Sequence, residues 1–510
     1  MNTKLTLSLG LRYELPSPLT ERFNRSVQGF DPAAALPVAS QVLQNYAQNP
    51  IPQVPVSQFK VSGGLTFPGV GEASRYLWNG AIHNFMPRIG LAYSLRPTTV
   101  LRAGYGIYFV PLGVTNINVN QTGFSSSSAF VASLDNGQTY IANLTNPFPG
   151  GFTRALGAAG GASTFLGQGI SFFNPYLRNP YMQRWQFAVQ RQLPAKVVLE
   201  LSYVGNRGTR LLASQDLNPI PRSYLSTSPV RDQATINLLN SQVPNPFYPL
   251  LPRTNLAATT VAVSQLLKPY PQFSGVSANM NSGFSWYHAL QMRLEKRLSS
   301  GLSAQYSFSW SKMMEAISYL NATDLAPEKV ISDQDRTFRS AVTMLYELPL
   351  GPGKPWSSPS NVLSKMMGGW QVQGVYTNQS GQALGFGNAI LLCPLDQVSF
   401  SRSQRSVSQW FNTACFNRVS SQQLASNVVT MSTRFSGIRG PGLNNWDISV
   451  IKNTQIKERL RVQFTAEGIN ALNHPQFTTP NTTPTSTAFG QVTGSFAWQR
   501  IIEFGMKISF

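Results

Sequence analysis

The hydrophobic pattern of this chain has a period of two. In "KLTLSLGLRY", Leu5, Leu7, Leu9, Leu11 and Tyr13 share one parity, while Thr6, Ser8, Gly10 and Arg12 share the other. Alternation of this kind belongs to an extended segment with one apolar and one polar face. "FMPRIGLAYSL" repeats it with Phe85, Ile89, Leu91, Tyr93 and Leu95, and after "RPTT" the chain returns through Leu101, Ala103, Tyr105, Ile107 and Phe109. Two strands of this length around a tight turn form a hairpin.

The hairpin recurs. Trp185, Phe187, Val189 and Leu193 lead through "PAK" to Val197, Leu199, Leu201 and Tyr203. Leu290, Met292, Leu294 and Leu298 lead through "SSG" to Leu302, Ala304, Tyr306, Phe308 and Trp310. Phe338, Val342, Met344, Tyr346 and Leu348 are followed, after a Pro/Gly-rich link, by Trp370, Val372 and Tyr376. Trp446, Ile448 and Val450 turn into Leu460, Val462, Phe464 and Ala466. The final strand puts Ile502, Phe504, Met506, Ile508 and Phe510 on one face.

About twelve strands result. The links between them alternate: a short set ("RPTT", "PAK", "SSG", "PLGPGKPW", "NTQIKE") and a long set near 14–84, 110–180, 206–284, 314–336, 380–443 and 471–497. Short turns at one end and long loops at the other are the layout of a transmembrane β-barrel. Lipid offers no hydrogen-bond partners, so the strands must satisfy one another while one face meets acyl chains and the other water. The expected fold is therefore an all-β, antiparallel transmembrane β-barrel. A single alternating strand fits a soluble sandwich equally well; the ordered alternation of link lengths favours the barrel.

Composition adjusts this picture. Only 12% of the 510 residues are charged and no apolar run is long enough for a transmembrane helix. The amino terminus "MNTKLTLSLG" has no apolar signal-peptide core. The net charge is +20, but no run of five basic residues and no nucleic-acid motif accompanies it, so the expected partners exclude nucleic acid. The charge is assigned instead to a polar surface facing anionic lipid or solute. Cys393 and Cys415 lie in one loop-like region, and a disulfide between them competes with two buried thiols.

In this order, "LTLSLGLRYELPSP", "NFMPRIGLAYSL", "NPYMQRWQFAVQRQL", "LELSYVGNRGTRLL", "YHALQMRLEKRLSSGLSAQYSFSWSK", "GPGLNNWDISVIKNT" and "RVQFTAEGINALNHPQF" resemble the carboxy-terminal barrel of TonB-dependent receptors, especially the Oar-like group. The resemblance implies one domain over 1–510, holding about twelve of roughly 22 strands, without the plug and amino-terminal domains. It implies a place in the bacterial outer membrane among lipid and lipopolysaccharide. It implies assembly by the barrel-assembly machinery, which reads Phe504, Met506, Ile508 and Phe510, and coupling to TonB where a plug is present. A complete twelve-stranded barrel is the alternative to a fragment.

No catalytic constellation, cofactor motif or metal spacing is found. His83, His288 and His474 are scattered, and Asp324, Asp333 and Asp335 fit a loop cation site less well than they fit solvated loop carboxylates. The expected function is outer-membrane uptake of a large solute, with Arg12, Arg102, Arg293 and Arg461 facing the lumen or packing against acidic neighbours. Surface adhesion without transport, and a cytoplasmic basic β-protein, are the rivals.

Overall fold

The computed structural model describes residues 4–112, 119–127, 130, 132–133, 138–149, 151–152, 154–357, 361–457, 459–495 and 499–510. Within them, twelve strands run in sequence order through one antiparallel meander. They are β1 (Leu5–Glu14), β2 (Asn84–Arg96), β3 (Thr99–Phe109), β4 (Tyr181–Leu193), β5 (Val197–Asp216) and β6 (Gly275–Ser299). The second half comprises β7 (Leu302–Ala316), β8 (Phe338–Glu347), β9 (Trp370–Gln379), β10 (Leu443–Lys457), β11 (Leu460–Ile469) and β12 (Ile501–Ser509). No helix among the described residues is long and apolar enough to cross a membrane.

Register keeps the apolar parity on one face from strand to strand. Leu7 lies opposite Leu91, Leu91 opposite Ala103, and Ala103 opposite Phe187. At the other end Val462 faces Ile508, Phe464 faces Met506 and Ala466 faces Phe504. That face has no protein cover: Leu9 is 75% exposed and Phe504 72%. From Leu5 to Tyr13 the stripe spans eight steps, about 19 Å along the normal of a strand tilted ~45°, which suits an apolar band ~25 Å tall. Aromatic pairs close its upper border: Tyr13 with Phe85 (4.7 Å), Phe109 with Tyr181 (5.3 Å) and Tyr376 with Trp446 (4.4 Å). Rings at this level straddle the boundary between hydrocarbon and water.

The short links are tight. Ala195 and Lys196 both have positive φ (61° and 58°), as do Ser300 (52°) and Gly301 (78°), the geometry that matches strand twist in a two-residue hairpin turn. The link between β8 and β9 is longer and contains a helical turn, Asn361–Met367.

One expectation needs correction. The link near 206–284 is shorter than the pattern implied, because β5 continues to Asp216 and β6 begins at Gly275. Beyond Tyr203 the strands leave the hydrocarbon, so apolar alternation stops while backbone pairing goes on. Among the described residues β1 and β12 are the two edges of the sheet and do not pair with each other.

The long links hold the buried core. Residues from 15–83, 110–180 and 217–274 share one apolar cluster around Tyr46, Phe247 and Phe273. The ring of Tyr46 stacks on Phe59 at 3.8 Å, and its hydroxyl donates to the Val54 carbonyl. A second cluster gathers Phe386, Phe411, Phe416 and Phe489 around Cys415, which is disulfide-bonded to Cys393 with Cα atoms 5.0 Å apart. Because the sheet commits one face to lipid and the other to water, the apolar side chains that bury against each other gather mainly in the loops, joined by Val276 and Ala278 at the upper end of β6.

Candidate functional site: a cationic groove on the polar face

The polar face of β1–β4 is rich in arginine and glycine. Gly10, Gly90, Gly104 and Gly106 all fall on its parity, Gly90 directly opposite Gly104. Lacking side chains, they leave a groove of about 510 Å³. Gly106 of β3 is flanked in register by Arg88 of β2 and Arg184 of β4, two strand spacings (about 10 Å) apart. The Arg88 guanidinium lies 4.8 Å over the ring of Tyr108, a cation–π contact that holds it at the groove wall. All three residues sit within about four positions of the long-loop end of their strands, near the mouth. Planar guanidinium forks on either side of Gly106, over which the Tyr108 ring lies, suit a carboxylate or phosphate group.

The polar face of β6–β12 carries charges of both signs, with Arg293 and Arg297 on Glu295. Glu295, Asp447 and Glu467 line a hollow of about 610 Å³ with Gln305, Gln373 and Ser449. Glu467 stands directly opposite Glu503.

The residues singled out from sequence do not gather. Arg12 is tied to Glu14 beside it. Arg102 sits between Ala92 and Ala188, four residues along β3 from Gly106 and outside the groove lining. Arg293 bonds Glu295 (2.9 Å) and Gln305 (3.2 Å), and Arg461 donates to Gln455 (3.3 Å). All four lie on the polar parity, but on separate stretches of wall. Phe504, Met506, Ile508 and Phe510 share the exposed apolar face. Asp324 is taken by Arg222 (3.0 Å) and Asp335 by Arg439 (2.6 Å), and no cluster of metal-ligating side chains occurs among the described residues. Arg88 and Arg184 escaped sequence reading because only strand register brings them to Gly106. The available signal was the density of glycines on one parity of "RIGLAYSL" and "VLRAGYGIYF".

A two-faced sheet of this kind has a counterpart among known families. Residues 1–503 match the family described as outer membrane beta barrel domain. The chain belongs to that family. This outer-membrane β-barrel chain therefore resides in the bacterial outer membrane, with its apolar face in hydrocarbon. No curated protein matches it. Solved structures that resemble it include the outer membrane transporter YddB from Escherichia coli, at 12% identity and TM-score 0.41, covering 85% of this chain and 41% of that one. They also include the pyoverdine receptor FpvA from Pseudomonas aeruginosa bound to pyoverdine (11%, 0.38, 87% and 38%). The siderophore receptor PirA from Acinetobacter baumannii is a third (9%, 0.37, 84% and 41%). The barrel chain spans about two fifths of the length of these proteins.

Proposed function

We propose that this chain forms part of the wall of a TonB-dependent uptake barrel whose lumen takes a solute bearing carboxylate or phosphate groups. The groove of Arg88, Gly106 and Arg184 carries the reading, because it offers two guanidinium forks near the mouth, with the Tyr108 ring lying over Gly106 between them. A solute attracted there would then meet the facing carboxylates of Glu467 and Glu503, which repel it and limit retention. Energy would enter through TonB acting on a plug, and folding into the membrane would be the work of the barrel-assembly machinery. In this scheme the chain binds and passes a solute and performs no chemistry.

Calorimetric titration of the folded chain with citrate and with inorganic phosphate tests the groove. Binding that survives in the Arg88→Ala/Arg184→Ala double variant sinks the proposed site, and import of an anionic solute that persists without TonB sinks the energy coupling.

Surface adhesion is the second reading. It is favoured by the loop layer, which is a packed structure with its own apolar core and so presents a fixed surface. Loss of cell–cell contact on deleting 217–274, with solute import intact, would favour it.

A further inference from the structure

The two edges of the sheet lack the devices that keep a free edge free. Among the described residues β1 pairs with β2 alone and β12 with β11 alone. Natural sheets blunt an exposed edge with proline or a bulge. Neither edge strand contains a proline, and each keeps one unbroken register along its whole length. Both strands also carry the apolar stripe, exposed from Leu5 to Tyr13 and from Ile502 to Phe510. Their outward N–H and C=O groups therefore lie at the depth of the hydrocarbon, where only another strand satisfies them.

The edges match each other. Twelve antiparallel strands leave β1 and β12 running in opposite directions, so β12 accepts β1 in the antiparallel sense. Like edges of two copies inserted the same way would instead meet in parallel. Setting Leu5 beside Phe510 brings the apolar positions of both strands face to face, with Leu9 at Met506 and Tyr13 at Ile502. On the polar face the same alignment sets Arg12 beside Glu503. A slide of two residues in one direction puts Glu14 against Glu503, and in the other it leaves only Gly10 there. Opposite charges directly across a strand pair stabilise it and like charges oppose it. Within its own chain Glu503 stands opposite Glu467 and has no ion-pair partner among the described residues, while Arg12 is exposed beside Glu14.

We propose that the partner of these edges is a second copy of this chain: β1 of each copy pairs with β12 of the other, Leu5 beside Phe510 and Arg12 beside Glu503, and two chains close one barrel. Charge and apolar register select this occupant, since one alignment satisfies both faces of both edges. Two is the smallest number of copies that pairs every edge while the two edges of each chain stay apart. The contact is head-to-tail, and a head-to-tail contact that closes on itself makes a ring. Twice the twelve strands is a size within the range that outer-membrane barrels span. The inference rests on the membrane placement of the sheet and is independent of the uptake reading, since the groove of Arg88 and Arg184 lies within one copy.

The test is site-directed crosslinking of the full chain folded in detergent. Gly10 and Gly505 stand side by side in the proposed seam, and a Cβ on either meets nothing nearer than 4.0 Å, so Gly10→Cys and Gly505→Cys fit the strands. The native thiols are already joined to each other. Oxidising a mixture of the two variants should give a product of two chains, which neither variant gives alone, and native mass spectrometry of the wild type should show two chains. Arg12→Glu should weaken association about fivefold, and Arg12→Glu/Glu503→Arg should restore it. Heat-modifiable gel mobility reports that each variant still folds. A folded single chain in the native spectrum, no crosslink in the mixture, a crosslink between two Gly10→Cys chains, or no rescue by the double charge reversal would each overturn the proposal. Citrate binding in the Arg88–Arg184 groove should be unchanged by Arg12→Glu, so the two readings fail separately.

Discussion

Arg439 and Asp335 are 104 residues apart in sequence, yet Arg439 Nη2 lies 2.6 Å from Asp335 Oδ2, whose side chain is 1% exposed. Asp335 also accepts from the Met313 backbone N–H of β7, and Arg439 donates through Nη1 to the Gly381 carbonyl. Arg434 and Glu315 (2.5 Å) repeat the arrangement close by. These pairs clamp the loop before β10 to the upper end of the sheet.

Arg439→Ala should therefore loosen the rim. It leaves a buried carboxylate without its counter-charge, at a cost of about 3–5 kcal/mol. Hydrogen exchange in 380–442 is expected to rise while the strands stay protected. Asp335→Leu/Arg439→Met should cost much less, and equal exchange in both variants would refute the ion-pair account.

The Cys393–Cys415 bridge closes a loop of 22 residues inside the second apolar cluster. A crosslink over that span is worth about 3 kcal/mol through the unfolded chain. Dithiothreitol, or Cys393→Ser/Cys415→Ser, should expose 384–416 to protease before the barrel strands melt. Unchanged cleavage kinetics would show that the aromatic packing suffices.

Phe510 closes the apolar stripe of β12. Deleting it should leave most of the expressed chain in a form whose gel mobility no longer changes on heating, with little effect on refolding from urea into detergent. An equal defect in both assays would mean that Phe510 acts in packing rather than in recognition by the assembly machinery.

Acid should fray the helix α1 (Gln233–Asn240) early. Its amino-terminal cap, Asp232, is held below the usual carboxylate range, first by the Thr235 backbone N–H and then by the hydroxyls of Thr235 and Ser226. A depressed carboxylate stabilises the fold above the ordinary pKa of 3.8 and loses that contribution as pH falls through the folded value. Amide exchange in 233–240 should accelerate below that pH in the wild type, whereas Asp232→Asn should remove the pH step. A step that persists in the variant would assign it elsewhere.

The strands were legible because the membrane acts on each one locally. Leu5 to Tyr13 and Ile502 to Phe510 must each show hydrocarbon an unbroken apolar face, so each stretch carries the whole signal by itself. The loop layer gave no such signal. Tyr46, Phe247 and Phe273 meet from distant links, and nothing periodic marks residues whose shared environment exists only after three links have folded together.

What the sequence determined alone is therefore the two-faced sheet, its strand order and its address in a bilayer, since period two is imposed residue by residue by the solvents on either side. Tertiary structure decided what the faces can bind. Register set Arg88 and Arg184 about Gly106, and a shift of one residue would send each of these side chains to the other side of the wall.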